Sequence, residues 1–404
     1  MAKMKVILAY SGGLDTSVCI KYLQVLHDMD VVTVTVDCGQ IEDFTEIEKK
    51  ARSIGAIDHI KIDAKEEFAT NFIIASIKAN GLYQDKYPLG TALARPLIAS
   101  KIVEIAHQYA AQNVAHGCTG KGNDQVRFDI SIRANDPDLR IIAPIRDMNL
   151  TRDLEIKFAK DQKIPVSEEA KKYSIDQNIW GRSIEGGNLE NAFCEPPIDA
   201  FSLVKLDNDR IGQIELEFEN GIPVAVDGKR LKIVDLVEHL TKVVGSFGVG
   251  IIDHIEDRTV GIKSREVYEA PAAIAIIESH KDLEKMVLTN QELRFKASVD
   301  DYWSWLIYSG LWYDPLRRDL DKFIDETQKR VNGKVRLRMQ NGSLRVIGRE
   351  SEYSLYKNDT TSYGMPSFDQ SLAKGFVELW GLQTVMASTI ATRSDSKTVG
   401  QEQI

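Results

Sequence analysis

The sequence has few cysteines, no excess of positive charge and no long apolar run. Its four cysteines (Cys19, Cys38, Cys118 and Cys194) form no CxxC pair, which argues against a zinc site and predicts reduced thiols. Lys plus Arg number 51 against 60 Asp plus Glu, whereas nucleic-acid-binding proteins usually carry a basic excess. No stretch is apolar for long enough to span a bilayer, and the apolar N-terminal run is too short for a signal peptide. We therefore expect a cytoplasmic protein that binds neither nucleic acid nor membrane.

What the sequence does contain is typical of a soluble globular protein of two or three domains. Its 404 residues are 43% hydrophobic and 27% charged. Over the first 165 residues, apolar β-rich runs alternate with helical patterns, which predicts βαβ units and a parallel sheet covered on both faces. The predicted strands are residues 5–10, 31–36, 57–62 and 113–116, and the predicted helices are 14–29, 41–54, 65–79 and 91–112.

The second half of the chain has a different pattern. Residues 213–226 and 334–347 each contain two β-type runs joined by Asn-Gly, which predicts hairpins with type I′ turns. Helical patterns lie between them, and a last one covers 367–393 before a polar tail. We expect an α/β fold: an N-terminal parallel-sheet nucleotide-binding domain (1–168), an α+β synthetase and multimerisation domain (169–365), and a C-terminal oligomerisation helix with its tail (366–404).

The strongest motif lies between the first predicted strand and helix, where the sequence reads SGGLDTS from Ser11 to Ser17. Gly12 and Gly13 let the backbone turn tightly and place its N–H groups against an anion. The hydroxyls and the following helix N-terminus favour phosphate at the same place. The loop is neither a Walker A motif, because no Lys-Ser or Lys-Thr follows the glycines, nor GxGxxG.

A second polar group lies at another predicted strand-to-helix junction. Asn123 and Arg127 are four residues apart, so they share one helix face with Asp124 beside them. An amide, a carboxylate and a guanidinium in one helical turn can hold a molecule that carries both ammonium and carboxylate groups. A solvated helix face is the ordinary alternative for such residues.

Two resemblances narrow the function. SGGLDTS resembles the PP-loop of the N-type ATP pyrophosphatases, which hold the outer phosphates of ATP and cleave it to AMP and pyrophosphate. With that loop, four further segments are similar to argininosuccinate synthases: YPLGTALARP, AHGCTGKGNDQVRF, NIWGRS and GIKSREVYE, which begin at Tyr87, Ala115, Asn178 and Gly261. The resemblance covers residues 4–390, and AHGCTGKGNDQVRF is its most specific segment.

The resemblance implies an AMP-forming carbon–nitrogen ligase that joins L-citrulline to L-aspartate. ATP activates citrulline as a citrullyl-adenylate, aspartate displaces AMP, and the product is argininosuccinate, in the penultimate step of arginine biosynthesis. The implied substrates are citrulline, aspartate and ATP, with Mg²⁺ as the accompanying ion and no residue assigned as a metal ligand. The family is tetrameric, which implies a homotetramer. The terminal helical stretch fits that assembly, and packing on its own domain would explain the same stretch equally well.

The resemblance also assigns site residues, one position at a time. Asp15 and Asp124 are the implied catalytic carboxylates. ATP binding falls to Ala9, Tyr10, Ser11, Gly12, Gly13, Leu14, Asp15, Thr16, Ser17, Val36 and Gly117. The implied aspartate-binding residues are Thr119, Asn123 and Asp124. Citrulline binding falls to Tyr87, Asn123, Arg127, Ser174, Ser183, Glu256 and Tyr268.

Several of these residues do not suggest a site by themselves. Glu256 lies in an acidic run that would ordinarily be solvated, and Tyr87 and Tyr268 would ordinarily be packing residues. Two other functions compete with the ligase. One is a different PP-loop enzyme, such as a tRNA-thiolating or glutamine-dependent one, but the chain has neither a cysteine pair nor an amidotransferase domain. The other is an ATP-sensing regulator without turnover, against which the polar cluster at 119–127 argues.

Overall fold

A computed structural model describes residues 3–165, 173–206, 210–357 and 369–399, with side chains up to 392 in the last range. The chain divides into a compact unit, Met1–Tyr353, and a second unit, Ser354–Ile404. The domain boundaries predicted after residues 168 and 365 both fall outside the described residues, so they remain predictions. Within the described ranges, none of the helices is both long and apolar enough to cross a membrane.

The N-terminal part is built on a five-stranded parallel sheet with the order β3-β2-β1-β4-β5, which confirms the predicted sheet type. Its strands are β1 (Met4–Ala9), β2 (Met29–Asp37), β3 (Asp58–Asp63), β4 (Asn113–Ala115) and β5 (Arg140–Ile142). The accompanying helices are α1 (Leu14–His27), α2 (Phe44–Ile54), α3 (Lys65–Phe68), a π-helical segment (Ala69–Ile73), α4 (Ile74–Lys78), α5 (Gly90–Gln108), α6 (Asp124–Asn135), α7 (Pro144–Asp147) and α8 (Arg152–Asp161).

Strand β1 shows why its sequence is almost continuously apolar. Val6 and Leu8 belong to one buried cluster, while Ile7 and Ala9 belong to another. Successive side chains of a strand point to opposite faces, so both faces of the sheet at β1 are covered by apolar side chains. A strand buried on both faces has no polar face, which explains the missing alternation.

Both predicted hairpins are present, in a second, antiparallel sheet with the order β10-β9-β8-β13-β14. At the two turns, Asn220 and Gly221 have φ values of 49° and 74°, and Asn341 and Gly342 have values of 48° and 76°. A type I′ turn needs positive φ at both central residues, as these pairs provide. The strands are β8 (Ile211–Glu219), β9 (Ile222–Val226), β10 (Lys229–Arg230), β13 (Gly333–Gln340) and β14 (Ser343–Glu350).

A third sheet, with the order β11-β12-β7-β6, was not predicted from the sequence. Its strands are β6 (Ser174–Asn178), β7 (Gly181–Glu185), β11 (Ile251–Asp257) and β12 (Lys263–Glu269). These strands carry many charged residues, so they lack the apolar alternation by which a strand is recognised. The prediction that the acidic run of β11 is solvated is wrong at Glu256, which is 2% exposed.

The remaining helices are α9 (Ile233–Gly245), α10 (Pro271–Val287), α11 (Asn290–Tyr308) and α12 (Pro315–Gln328) in the first unit, and α13 (Leu372–Val399) in the second. Of these, α11 was missed. The terminal helix was predicted to end at 393 before a polar tail, but α13 continues to Val399. Its apolar side chains are exposed, and Leu379 and Trp380 are 78% and 77% accessible.

A buried ionic cluster links α10, α11 and the end of α4. Lys296 is 1% exposed, and its Nζ donates to both carboxylate oxygens of Asp300, at 2.9 and 2.8 Å, and to the carbonyl oxygen of Lys78 at 2.9 Å. It also lies 3.0 Å from Glu284 Oε1. Asn80 donates to both carboxylates, so the cluster also holds the segment that leads to Tyr87.

We expect Lys296→Met to lower the free energy of unfolding by about 3–5 kcal/mol, because it leaves two buried carboxylates without their cation. Chemical denaturation would measure this, with Lys322→Met as the control, since Lys322 is exposed and surface changes cost about 0.5 kcal/mol or less. Adding Asp300→Leu to Lys296→Met should recover part of the loss; equal stability of wild type and Lys296→Met would contradict the prediction.

Candidate active site

The site lies where the order of the parallel sheet reverses. From β1 the chain continues to β2 and β3 on one side, while β4 and β5 lie on the other. In open α/β sheets, ligands bind beside the carboxyl ends of the strands at such a switch point. The segments that follow β1 and β4 begin at Tyr10 and His116, and they carry the two groups that the sequence singled out.

The loop after β1 has the backbone of an anion-binding turn. Gly12 has φ +78°, a backbone conformation that residues with a side chain rarely adopt, and a Cβ there would lie 3.0 Å from Cγ1 of Ile47. A larger residue would therefore strain the backbone and crowd Ile47. Gly13 is the N-cap of α1 and has no side chain to cap the helix, which leaves the positive end of α1 facing the loop. The hydroxyls of Ser11 and Thr16 lie 3.2 Å apart across the turn. This arrangement suits phosphate oxygens.

Basic side chains surround the loop. Lys50, on α2, donates from Nζ to the Gly12 carbonyl oxygen at 2.6 Å, and burial lowers its pKa. Arg152, at the start of α8, donates to Asp15 Oδ1 at 2.8 Å. Sequence reasoning missed both, because each is distant from the motif along the chain. Their charges favour the binding of a polyphosphate.

Behind the loop lies a buried carboxyl group, that of Glu155. It is 3% exposed, and burial, followed by the charge of Asp15, raises its pKa to about 8. On the other side, a Cβ on Gly117 would lie 3.0 Å from Cγ2 of Thr16 and 3.2 Å from its backbone nitrogen. Gly117 therefore lets the segment after β4 pack directly on the loop.

The second group is centred on Asp124, the first residue of α6. Its Oδ2 accepts from Arg95 Nε at 2.8 Å, and its Oδ1 accepts from Arg127 Nη1 at 2.8 Å. Burial favours the neutral acid, but the two guanidinium groups hold the pKa of Asp124 below its usual range. Asp124 is therefore ionised at neutral pH. Arg95 was not predicted, although it lies in a segment that carried the resemblance.

Arg127 is a buried residue with three guanidinium nitrogens, two of which have hydrogen-bond partners. The residue is 3% exposed; its Nε donates to the Tyr308 carbonyl oxygen at 3.0 Å, and its Nη1 is used by Asp124. Nη2 is buried and has no hydrogen-bond partner among the described residues. Buried polar atoms are nearly always paired, so an unpaired guanidinium nitrogen points to a ligand.

Aromatic rings form the other wall. Tyr87 and Tyr268 stack with ring centroids 4.3 Å apart, and a pocket lined by both also includes Ser183 and Thr91. Glu256 accepts from Tyr268 at 2.8 Å through Oε2. Burial, followed by the charge of Glu256, keeps the pKa of Tyr268 well above its usual value, so the phenol keeps its proton and donates.

The structure brings most of the predicted amino-acid-binding residues together. Asn123, Asp124 and Arg127 lie at the N-terminal end of α6. The Tyr308 hydroxyl accepts a hydrogen bond from Asn123 and donates one to Glu256, so it connects α6 with the aromatic wall that Glu256 supports. Thr119 and Ser174 are exposed, and neither makes a side-chain hydrogen bond to this cluster among the described residues. Tyr308 was missed, because sequence reasoning assigned no role to α11.

His116, which directly follows β4, has both ring nitrogens engaged within the protein. It is 1% exposed and its Nε2 lies 2.8 Å from Asp129 Oδ1, while its Nδ1 accepts from the Cys118 backbone N–H at 3.2 Å. Both ring nitrogens are thus occupied.

The protein has a parallel sheet with a glycine-rich loop, suited to phosphate, at its switch point. A charged cluster suited to an amino acid lies beside it. These features define the class of nucleotide-binding α/β enzymes. Comparison with known proteins specifies the family. Residues 5–165 match the Arginosuccinate synthase N-terminal HUP domain, and residues 173–387 match the Arginosuccinate synthase C-terminal domain. The chain therefore belongs to the argininosuccinate synthase family, and it is an enzyme, a ligase with an N-terminal HUP domain.

Curated relatives agree over nearly the full length. The chain is 53% identical over 388 residues to the argininosuccinate synthase of Pyrococcus furiosus, covering 95% of this chain and 94% of that protein. It is 51% identical over 383 residues to the argininosuccinate synthase of Methanocaldococcus jannaschii, covering 94% and 97%. It is 50% identical over 388 residues to that of Saccharolobus solfataricus, covering 96% and 99%.

Proposed function

We propose that the chain condenses L-citrulline with L-aspartate to give argininosuccinate, AMP and pyrophosphate through a citrullyl-adenylate, as the penultimate step of arginine biosynthesis. The observation that carries the proposal is the buried Nη2 of Arg127, which has no hydrogen-bond partner among the described residues and belongs to a guanidinium group that lies 5.1 Å from the centre of the Tyr308 ring. Arg presents a planar fork that matches a carboxylate. Family membership supports the pairing of these two substrates with ATP.

The first step would take place over the loop after β1. The ureido oxygen of citrulline attacks the α-phosphorus of ATP, the bond to the bridging oxygen breaks, and pyrophosphate leaves. The loop residues from Ala9 to Ser17, with Lys50 and Arg152 beside them, would hold the outer phosphates. Val36, at the end of β2, and Gly117 would complete the nucleotide site. Positioning and charge stabilisation would dominate this step.

Magnesium would arrive bound to the phosphates of ATP, as part of the substrate. Asp15 is the carboxylate of the loop, and hard cations prefer oxygen ligands, so it fits a role beside the MgATP complex. Its Oδ1 accepts from Arg152, which would place a cation and an anion together at the phosphates. The ion would supply charge neutralisation of the leaving pyrophosphate.

In the second step the aspartate amine attacks the ureido carbon, the carbon–oxygen bond to AMP breaks, and the nitrogen loses a proton. Thr119, Asn123 and Asp124 would hold aspartate. Asp124 is ionised, and its Oδ1, which accepts from Arg127 Nη1, has a second lone pair, so it suits an ammonium group. Citrulline would lie against Tyr87, Asn123, Arg127, Ser174, Ser183, Glu256 and Tyr268.

The proposal is tested by measuring pyrophosphate release from MgATP with citrulline and aspartate, each alone and together. We expect sustained release only with both. Citrulline labelled with ¹⁸O in the ureido oxygen should deliver the label to the phosphate of AMP, because the adenylate forms through that oxygen. Release of ADP, or AMP without label, would contradict the mechanism.

We further propose that the protein is a homotetramer in the cytoplasm and that α13 contacts other copies of the chain. The side chains of Phe376, Leu379, Trp380 and Val385 are each more than 60% exposed. Soluble proteins rarely leave so many apolar side chains of one helix uncovered.

We expect Trp380→Glu to lower the mass of the assembly in light scattering, because a charge would be buried at the contact. Gln383→Glu adds the same charge to an exposed polar position of the same helix, and it should leave the mass unchanged. A tetramer that tolerates Trp380→Glu and the removal of residues 370–404 would exclude this role.

A further inference from the structure

Tyr308, the last residue of α11, contacts three residues of the proposed amino-acid site. Its hydroxyl donates to Glu256 Oε1 at 2.5 Å and accepts from Asn123 Nδ2 at 2.8 Å. Its backbone carbonyl accepts from Arg127 Nε at 3.0 Å. Tyr308 is 1% exposed, so these bonds form in a buried environment where each one restricts its partner strongly.

The surroundings of Tyr308 fix the direction of its hydrogen bonds. Burial, followed by the charge of Glu256, raises the pKa of the Tyr308 phenol, so it keeps its proton and donates to the carboxylate. The phenol oxygen can then only accept from Asn123, which requires the amide nitrogen to face it. The amide oxygen of Asn123 accordingly accepts from the Thr259 backbone N–H at 2.9 Å. The amide group of Asn123 thus has one orientation.

The ring of Tyr308 is itself held in place. It stacks on Tyr83 with centroids 3.5 Å apart and planes 8° apart, and it meets Tyr87 edge-on at 6.2 Å. The chain just after α11 packs directly on α6, because a Cβ at Gly310 would lie only 3.0 Å from the Cα of Arg127. The position of the hydroxyl is therefore determined by packing on several sides.

We propose that Tyr308 is a positioning residue that holds the citrulline-binding and aspartate-binding side chains in one arrangement. The proposal rests on the proposed function. Asn123 belongs to both binding sets, whereas Glu256 and Arg127 belong to the citrulline set, so one hydroxyl controls both amino-acid sites. Tyr308 makes no hydrogen bond to the loop from Ala9 to Ser17 among the described residues, so we expect its hydroxyl to matter for the two amino acids and not for ATP.

The test is Tyr308→Phe, which keeps the ring, its stacking and the backbone carbonyl and removes one oxygen. We expect the KM for citrulline and the KM for aspartate each to rise about 10-fold, which is the loss of one hydrogen bond that orients a buried group. The KM for ATP should stay within about twofold, and the melting temperature should fall no further than in Tyr268→Phe, which also removes one phenol donor from the buried Glu256.

Two matched variants separate positioning from general destabilisation. Tyr268→Phe removes the donor to the other oxygen of Glu256, but Tyr268 does not contact Asn123, so it should raise the KM for citrulline and not that for aspartate. Tyr313→Phe is the control. Within the described ranges the Tyr313 hydroxyl donates to the Pro96 carbonyl oxygen alone, at 3.4 Å, so the kinetics of this variant should match those of the wild type.

The inference is overturned if Tyr308→Phe leaves both amino-acid KM values unchanged, or if all three KM values rise together with a fall in melting temperature. A failure of the proposed function looks different, because wild type would then release no pyrophosphate with citrulline and aspartate.

Discussion

Replacing Arg127 with lysine is expected to lower kcat/KM for citrulline by about 100- to 1,000-fold. Lysine keeps the positive charge but loses the planar fork, so it cannot reach Asp124, the Tyr308 carbonyl oxygen and a substrate carboxylate together. Leaving the carboxylate of Asp124 with one guanidinium partner in a buried site adds a cost of a few kcal/mol.

The measurement is steady-state kinetics with each substrate varied in turn. Most of the loss should lie in the KM for citrulline, because the Nη2 interaction is made on binding and kept in the transition state. Arg133→Lys is the control, because Arg133 is an exposed residue of the same helix. If the KM for citrulline is unchanged in Arg127→Lys, the carboxylate does not bind there, and another group must account for the unpaired nitrogen.

Replacing Asp15 with asparagine is expected to lower kcat by about 100-fold with little effect on folding. Asparagine keeps the shape and a hydrogen-bond acceptor for Arg152, but it removes the negative charge beside the proposed MgATP site. The Asp15–Arg152 pair is partly exposed, and such pairs contribute about 0–1 kcal/mol. Asp153→Asn, on an exposed position next to Arg152, is the control.

The same variant should change how stability depends on pH. The folded pKa of Glu155 is raised to about 8 by burial first and by Asp15 second, so the protein loses stability as the pH rises from the unfolded pKa, about 4.3, through 8. Without the charge of Asp15 the pKa of Glu155 falls and this loss becomes smaller. The melting temperature of Asp15→Asn, measured relative to that of the wild type at the same pH, should therefore rise between pH 6 and 9.

These two readouts separate chemistry from folding. An enzyme that is less active but relatively more stable at alkaline pH would support a functional role for Asp15. Unchanged turnover would dismiss that role, and a lower melting temperature at every pH would show that Asp15 acts mainly in the fold.

The parts of the fold that sequence reasoning recovered are those specified by local physical chemistry. The near-continuous apolar run of β1 indicates a strand buried on both faces, and Asn-Gly at 220–221 and 341–342 determines the turn type. By contrast, β11 and β12 carry charges whose partners lie on other strands, such as Arg265 with Asp253. Nothing in their own sequence shows that these charges are satisfied.

The sequence by itself determined the phosphate-type loop at Ser11 to Ser17, the helical turn with Asn123 and Arg127, and the family. The loop and the turn each depend on residues within about ten positions of one another, where backbone geometry decides what is adjacent. The family follows from five such short segments along the chain. Only the tertiary structure decided that Lys50 and Arg152 lie at the loop, that Glu256 is buried, and that Tyr308 joins it to Asn123. Those contacts connect residues 38 to 185 positions apart, and packing of the whole chain, not local preference, places them together.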